Sequence, residues 1–545
     1  MITVRKLKIT VDEEDLKLRN AQYLSLNRVE RHFISKNHEL FTLIDDLSFK
    51  SKNLYNLANY YIRQTYIITS KLKKGEEINS EQLVLLTWIN SKVDAFNTYK
   101  KNNLRKRQKK AEAALKNKSL SDESKEKNTK IVAKEYKTFS YFGIEHKYLG
   151  YDFLEFIMKD TDAYNALMAQ VSQQILRLID NNWHSFFEAV KDYKINPAKY
   201  KGMPKLPKYK HKTKGRFNIL FTNQGVVQMK GYIKMPKCLK QYKLNSKMQG
   251  KLQQVRIKPV FGQYLLEVVY RKNFKVKNSE ELQSKRICSI DLGIDNFATI
   301  VNNIGLEPII IKGNSIKSAN QYYNKRKAEL QSKLEFITIN SKEGPKKVQS
   351  STSTRINRFT LKRNNIIDDF MHKASRFIVN YCIKNNIDTL VVGKNKSWKQ
   401  KCNLGKTNNQ NFVQIPFNSF IEKLRYKCQE VGIKFIVLEE SYTSRSSFID
   451  NDELPVYGEG ADYSFSGKRI YRGLYRTRGG HLINADINAA YNILRKYDNI
   501  FSYTKNIKLT PRKLDLIKAK TVEDKIYANY CRELKEKMHK AKRVV

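Results

Sequence analysis

From Arg286 onward the chain follows an element order that few folds accept. "RICSIDLGI", "FATIVNN" and "EPIIIKG" are three apolar segments in quick succession. Each is short, rich in β-branched residues and bounded by turn residues, so each reads as a strand. Two long basic segments, about 315–338 and 353–384, then carry apolar residues at helical spacing, split by the polar turn "NSKEGPKKVQSSTST". The strand "DTLVVG", a helix near 416–431, the strand "KFIVLEE", a loop-rich stretch and a helix from about Asp486 to Tyr497 follow.

Three strands, then helix, strand, helix, strand, helix, is the order of an RNase H-like α/β domain. Upstream the texture differs. Residues 1 to about 35 are strand-like and polar, and from His38 apolar residues recur at three- and four-residue spacing. The run "KKNNLRKRQKKAEAALKNKSLSDESKEKNTK" is a solvated helix or loop, or a phosphate-contacting one. A helix over about 163–193 ends before "KINPAKYKGMPKLPKYKHKTKG", a basic linker that its prolines and glycines bar from helix. "FNILFTN", "GVVQMKGYIKMP" and "QQVRIKPVFGQYLLEVVYRK" then alternate as a small antiparallel β-domain does. No internal repeat is present.

Charge decides the class of partner. Lys and Arg number 103 against 53 Asp and Glu, a formal net charge of +50 over 545 residues. A compact chain with that self-repulsion calls for a polyanion, and nucleic acid is the obvious one. An anionic membrane is the alternative, but no apolar run is long enough to span a bilayer, and "MITVRKLKITVDEEDLKLRN" is no signal peptide. The six cysteines form no C-x-x-C pair, which argues against a disulfide framework and for a reducing compartment. The 32 Tyr and 26 Phe suit both cores and base stacking.

Against this background the carboxylates on apolar elements stand out. "CSIDLGIDNFAT" ends its first strand on Asp291, with Gly293 allowing the turn. An acid there is either a turn cap or a metal ligand. "LINADINAAYNILRK" puts Asp486 at a helix start with Asn488 two residues on. Asp486 is either an N-cap or, with Asn488, part of a metal site. "KFIVLEE" closes an apolar strand on Glu439 and Glu440 in a chain short of acid.

"SIDLGIDNFAT", "ESYTSRSSF", "SGKRIYRGLYR" and "NADINAAYNILRK" resemble the transposon-encoded TnpB family, RNA-guided nucleases similar to miniature type V CRISPR effectors. "RHFISKNHELF" and "SKNLYNLANYYIRQ" resemble it too, and the motifs keep the family's order over most of the chain. The region around 73–150 is a larger insertion than the smallest members carry. The resemblance implies a multidomain α+β protein. It would have a small β-barrel-like wedge domain (1–35 and 195–281) and a helical recognition lobe (36–194). An RNase H-like (RuvC) nuclease domain (282–500) would follow, with a helical insertion at 314–384 and a degenerate zinc-ribbon-like, target-strand loop region at 441–485. A basic tail (501–545) ends the chain. It implies a guide RNA, omega RNA or crRNA-like, and a double-stranded target DNA. It also implies two Mg²⁺ ions, with Mn²⁺ as a substitute, held by Asp291 and Asp486, in a prokaryotic, nucleoid-associated setting without a membrane.

The sequence departs from the family in two places. The segment from Ser446 to Asn484 has no cysteine, so the two C-x-x-C pairs of a zinc ribbon are missing and no zinc is expected. Its fold would rest on Tyr442, Phe448, Tyr457, Phe465 and Tyr471. The family's catalytic Glu closes the strand that reads "DTLVVG" here, and its position is Gly393. In an RNase H-like sheet the next strand, "KFIVLEE", lies alongside, so Glu439 or Glu440 is expected to supply the third ligand. Strand residues alternate faces, so only one can do so, and Glu440, nearer the Tyr-Thr-Ser turn, is preferred. Lys394, Trp398, Lys399, Lys468, Arg469, Arg472 and Arg476 are the candidate nucleic-acid contacts. The functional expectation is an RNA-guided DNA endonuclease, with a nuclease-inactive RNA-guided repressor as the alternative. A DNA-strand transposase is disfavoured, because no transposase constellation of tyrosine or of Asp-Asp-Glu is apparent.

Overall fold

A computed structural model describes residues 23–116, 121–146, 148–275, 286–334, 336–341, 344–349, 352–395, 413–456 and 463–516. The fold is mixed α and β in two compact units, Asn27–Arg271 and Lys272–Val545 with Met1–Leu26.

In the first unit a four-stranded antiparallel sheet runs in the order β1 (Tyr23–Ile34), β7 (Gln263–Lys275), β6 (Lys251–Val260), β2 (Ile219–Thr222). A three-stranded sheet is formed by β3 (Val227–Met229), β4 (Tyr232–Lys234) and β5 (Lys243–Asn245). The helices are α1 (Phe41–Lys73), α2 (Ser80–Ser91), α3 (Val93–Leu115), α4 (Asp122–Val132), α5 (Tyr151–Met158), α6 (Asp162–Asn165) and α7 (Ala169–Ile195). The long α1 buries Ile44, Leu54, Tyr55, Ala58, Ile62 and Ile68, a stripe at helical spacing. That stripe shares one apolar core with α7 and with Ile219, Val255, Ile257, Leu266 and Val268 of the sheet. The helical segment and the small β-domain, read separately in the sequence, are therefore welded into one unit. The basic linker after α7 is pinned along α1: Asn59 Nδ2 donates to Pro207 O at 3.1 Å and Asn56 Nδ2 to Lys210 O at 2.9 Å.

The second unit is built on a six-stranded sheet. Its order is β14 (Lys434–Leu438), β13 (Thr389–Gly393), β8 (Ile287–Leu292), β9 (Asn296–Asn302), β10 (Ile309–Lys312) and β18 (Arg512–Leu514). β8, β9 and β10 are antiparallel neighbours, whereas β13 runs parallel to β8 and β14 parallel to β13. The segment "KFIVLEE" (β14) thus lies beside "DTLVVG" (β13), as expected from the sequence. The helices α8 (Asn314–Ser332), α9 (Thr354–Lys384), α10 (Phe417–Val431) and α11 (Ala485–Tyr497) match the expected positions to within a few residues at most ends. Two elements were unforeseen. Part of the polar turn between α8 and α9 is a hairpin of β11 (Phe336–Ser341) and β12 (Gly344–Gln349), and β18, within the presumed tail, forms an edge of the sheet.

Strand alternation assigns the two faces of this sheet. Cys288, Ile290, Leu292, Leu390 and Val392 join the core under α9 and α10. Ile287, Val391 and Leu438 join a second core under α11. Asp291 has the parity of Ile287, so it belongs to the α11 face, as does Ser289, whose hydroxyl donates to Ala490 O at 2.7 Å. Among the described residues no helix is long and apolar enough to cross a membrane.

Candidate active site

β8 is buried along almost its whole length, and Asp291 is the one carboxylate on it. The chain can turn at once into β9 because residue 293 is Gly: a Cβ there would lie 2.5 Å from Asn296 O. β13 sits against β8 with Val392 opposite Ile290, which carries Gly393 to the level of Asp291. β14 lies on the other side with Leu438 opposite Gly393. Leu438 faces the α11 core, and two residues further on Glu440 points to the same face. A Cβ on Gly393 would lie 2.6 Å from Glu440 Oε2 and 2.5 Å from Ile493 Cδ1, so the absent side chain is what admits this carboxylate.

The two adjacent glutamates have different tasks. Glu439 Oε2 lies 3.2 Å from Nζ of the buried Lys496, and its Oε1 accepts the Ser441 amide at 2.8 Å and the Ser441 hydroxyl. Lys496 also donates to Ser441 O at 2.7 Å. Glu439 is thus half of an ion pair under the loop. Glu440 holds its amide on Asn395 Oδ1 at 3.1 Å, while its Oε2 is buried and has no hydrogen-bond partner. Burial first and the Glu439 charge second push its carboxyl up to about 7, with Lys496 opposing. Asp291 is raised well above the carboxylate range by burial, then by the charges of Glu440 and Asp486, against the pull of Arg469. Asp291 is therefore close enough to feel both Glu440 and Asp486.

Asp486 is not the cap of its helix. The N-cap of α11 is Asn484, whose Oδ1 accepts the amides of Asp486 at 3.0 Å and Ile487 at 3.2 Å. The Asp486 carboxylate is left to the site, where Asn296 Nδ2 donates to Oδ2 at 2.6 Å and Arg469 Nη2 approaches Oδ1 at 3.3 Å. Asn488 is fully buried and serves the scaffold: its Oδ1 accepts the Phe448 amide at 2.9 Å and its Nδ2 donates to Ser446 O at 2.8 Å. Its place in a metal-binding Asp-x-Asn pair is thereby corrected. One turn later Asn492 Nδ2 reaches Thr443 O and Ser446 O, so two asparagines on one helix face hold the loop that follows Glu440.

The loop region packs differently from the expected aromatic set. Phe448 is buried and stacks on Tyr491, and Tyr442 contacts Phe465, but Tyr471 is 72% exposed. Tyr475 takes the interior position instead, its hydroxyl donating to Arg445 O at 2.7 Å. Tyr457 lies outside the described residues. Tyr471 is exposed because the antiparallel pair β15 (Lys468–Tyr471) and β16 (Leu474–Arg476) is a short hairpin, completed by β17 (Leu482–Asn484). Lys468, Arg469, Arg472 and Arg476 are all exposed on it. Arg472 Nη2 meets Asp295 Oδ2 at 2.9 Å, and Lys468 and Arg476 are direct cross-strand partners. Lys394 is half-buried beyond β13, with its amide on Leu438 O. Trp398 and Lys399 lie outside the described residues.

Among the described residues no three acid, imidazole or thiol side chains stand at the spacing of a single-ion site. The donor chemistry nonetheless fits a divalent cation. A buried carboxylate oxygen without a partner is costly, and a buried Asp291 repelled by Glu440 and Asp486 gains from a cation among them. Asn296, Asn484 and Lys496, which position the acids, escaped the sequence reading. Asn296 sits inside the "DLGIDNFAT" motif, and that position was its one visible signal.

The segments that carry the site resemble known proteins. Residues 267–399 match the probable transposase family OrfB_IS605, and residues 417–493 match the Cas12f1-like TNB domain. The TnpB-like protein ORF457 of Acidianus two-tailed virus is 26% identical over 216 residues, 39% of this chain and 42% of that protein. The CRISPR-associated endodeoxyribonuclease Cas12f1 of Sulfoacidibacillus thermotolerans is 31% identical over 131 residues, 24% of this chain and 27% of that protein. The matches thus span less than half the length of these relatives. A solved Cas12f1–sgRNA–target DNA complex aligns over 86% of this chain and 98% of its own, at 14% identity and a TM-score of 0.28. A CRISPR–Cas12f ternary complex aligns over 90% of this chain and 100% of its own, at 13% identity and the same TM-score. A score that low carries no argument about the fold. The sequence matches say more: over 267–399 and 417–493 the chain is similar to TnpB and Cas12f1 proteins.

Proposed function

We propose that the chain is an RNA-guided DNA endonuclease that hydrolyses phosphodiesters at Asp291, Glu440 and Asp486, beside a short flanking motif in the target. The observation that carries this reading is Glu440: its Oε2 is buried and unpartnered in the space that Gly393 leaves open, on the sheet face of Asp291. A structural acid would have found a partner, as Glu439 has in Lys496. The domain reading follows, with 282–500 as the RuvC nuclease, 1–35 and 195–281 as the wedge and 36–194 as the recognition lobe. Its partners are a guide RNA and a double-stranded DNA, in a prokaryotic cytoplasm. The +50 charge supports a chain that must hold both.

Asp291, Glu440 and Asp486 would hold two Mg²⁺ ions, which when bound supply the activated water and steady the leaving oxygen. Asn296 fixes the Asp486 carboxylate by its Oδ2, and Arg469 would yield Oδ1 to a bound cation. Asn395 and the loop held by Asn488 and Asn492 fix the backbone from which Glu440 projects. Arg469 stands where a phosphate oxygen between the acids would accept from it. The cysteine-free 446–484 segment is taken to hold no zinc.

A second reading, a nuclease-inactive RNA-guided repressor, draws on the approach of Arg469 to Asp486. The test is to express the protein with its native flanking locus, sequence the RNA that co-purifies, and offer guide-matched DNA with Mg²⁺. An RNA of defined ends and cleaved DNA are expected. Matched DNA bound but never cut would favour the repressor, and heterogeneous RNA alone would end both readings.

A further inference from the structure

Within the Asn27–Arg271 unit, α3, α5, α7 and an extended strap over 133–139 line an open cavity of about 1080 Å³. The strap is held open rather than collapsed. Gln108 Nε2 donates to Val132 O and Lys134 O, both at 3.0 Å, and Asn97 Oδ1 accepts the Tyr136 hydroxyl at 2.6 Å and the Phe139 amide at 2.8 Å. Phe96 and Phe156 form an apolar floor with ring centroids 5.4 Å apart, and Tyr99, 42% exposed, leans on Phe156 at 5.5 Å. The Arg177 guanidinium covers the Tyr151 ring at 4.9 Å. Arg107, Lys134 and Lys137 are exposed at the rim, and none has an ion-pair partner among the described residues.

We propose that this cavity holds an unpaired stretch of RNA, its bases on the Tyr99 and Tyr136 rings and its phosphates on Arg107, Lys134 and Lys137. From the preceding reading the proposal takes only that an RNA is the partner. Rings beside unpaired cations are the recurring recipe for single strands, because every base has a face to stack and every nucleotide a phosphate. A volume at the upper end for small-ligand sites exceeds the needs of one metabolite. Rings that face a cavity rather than a flat surface suit splayed bases better than paired ones. The wall also carries Asp152, paired with Lys100 at 2.7 Å, and Glu155, whose Oε1 accepts from Gln173 at 2.9 Å. Carboxylates repel phosphate but accept a hydrogen bond from a ribose 2′-hydroxyl, which selects RNA over DNA.

The test uses the full-length protein and a ten-nucleotide single-stranded RNA containing 4-thiouridine, with its DNA counterpart, the RNA annealed to its complement, and free AMP as competitors. Photo-crosslinks on the wild type are expected on peptides within 96–159. Tyr99→Ala combined with Arg107→Gln is expected to weaken the RNA about tenfold to a hundredfold. Tyr99→Phe is expected to leave the affinity unchanged, and a matching melting curve shows that the double variant is folded. Crosslinks confined to other regions, or full affinity in a folded double variant, would overturn the site. Equal competition by the DNA would overturn the ribose argument, and displacement by AMP would assign the cavity to a free nucleotide instead. Loss of this site with a defined RNA still co-purifying would leave the guide reading intact. Oligonucleotide capture without any co-purifying guide would separate the two the other way.

Discussion

Gly393 and Glu440 occupy one space: a Cβ on the first would stand 2.6 Å from Oε2 of the second. The family position that would carry an acid on β13 is empty of side chain, and the neighbouring strand fills the gap. Gly393→Ala is therefore expected to displace Glu440 and press on Ile493 Cδ1, abolishing DNA cleavage and lowering the melting temperature. Adding Ile493→Val removes that methyl and should recover part of the stability but none of the cleavage. Recovered cleavage in the double variant would mean that Glu440 does not act from this space.

Glu440 and Glu439 should separate cleanly. Glu440→Gln is expected to eliminate Mg²⁺-dependent cutting while RNA binding persists, as are Asp291→Ala and Asp486→Ala. Normal cutting by any of the three would move the site elsewhere.

Glu439→Gln should act on stability instead, because it strands the buried Lys496. A loss of about 3 kcal/mol is expected in urea unfolding, and Lys496→Met on top should return most of it. A Glu439→Gln chain as stable as the wild type would contradict the ion pair.

The pH dependence has a definite sign. The Glu440 carboxyl is raised to about 7 in the folded chain from 4.5, chiefly by burial. The unfolded chain thus loses this proton first. The stabilising contribution is complete below pH 4.5 and is lost as pH rises through 7. Glu440→Gln should remove that slope and stabilise the metal-free protein at pH 8 by roughly 2–3 kcal/mol. Unfolding curves at pH 4.5 and 8 for both proteins measure it, and parallel curves would refute it.

Asn296→Ala should free Asp486 without touching the chain's core, since its amide is the group on Oδ2. Cleavage is expected to fall about tenfold to a hundredfold, with the larger loss at low Mg²⁺. An unchanged Mg²⁺ dependence would reduce Asn296 to a bystander.

The element order of the second unit was legible because its strands are continuous apolar runs and its helices long and periodic. The pairing of β14 with β13 followed from the RNase H-like sheet that this order suggests, and the interest of Gly393 from the family resemblance. The choice between Glu439 and Glu440 could be leaned on but not read, because alternation needs a register and the sequence prints none. Asn488 misled for a related reason: an Asn near a helix start satisfies backbone carbonyls and metals alike, and only the position of Ser446 and Phe448 separates them. The strands β12 and β18 were missed because both lie in charged or polar sequence, where edge strands hide, and β11 because its apolar start, Phe336 to Ile339, reads as the last turn of the preceding helix.

β18 has a consequence in time. Its partner β10 is complete at Lys312, yet the segment that covers it, Arg512–Leu514, is translated 200 residues later. At roughly 5–20 residues per second the emerging sheet keeps one bare edge for on the order of ten seconds or more. During that interval β10 can pair with any extended chain near the ribosome. The 103 lysines and arginines, which repel like chains, protect the nascent protein as well as serving the finished one.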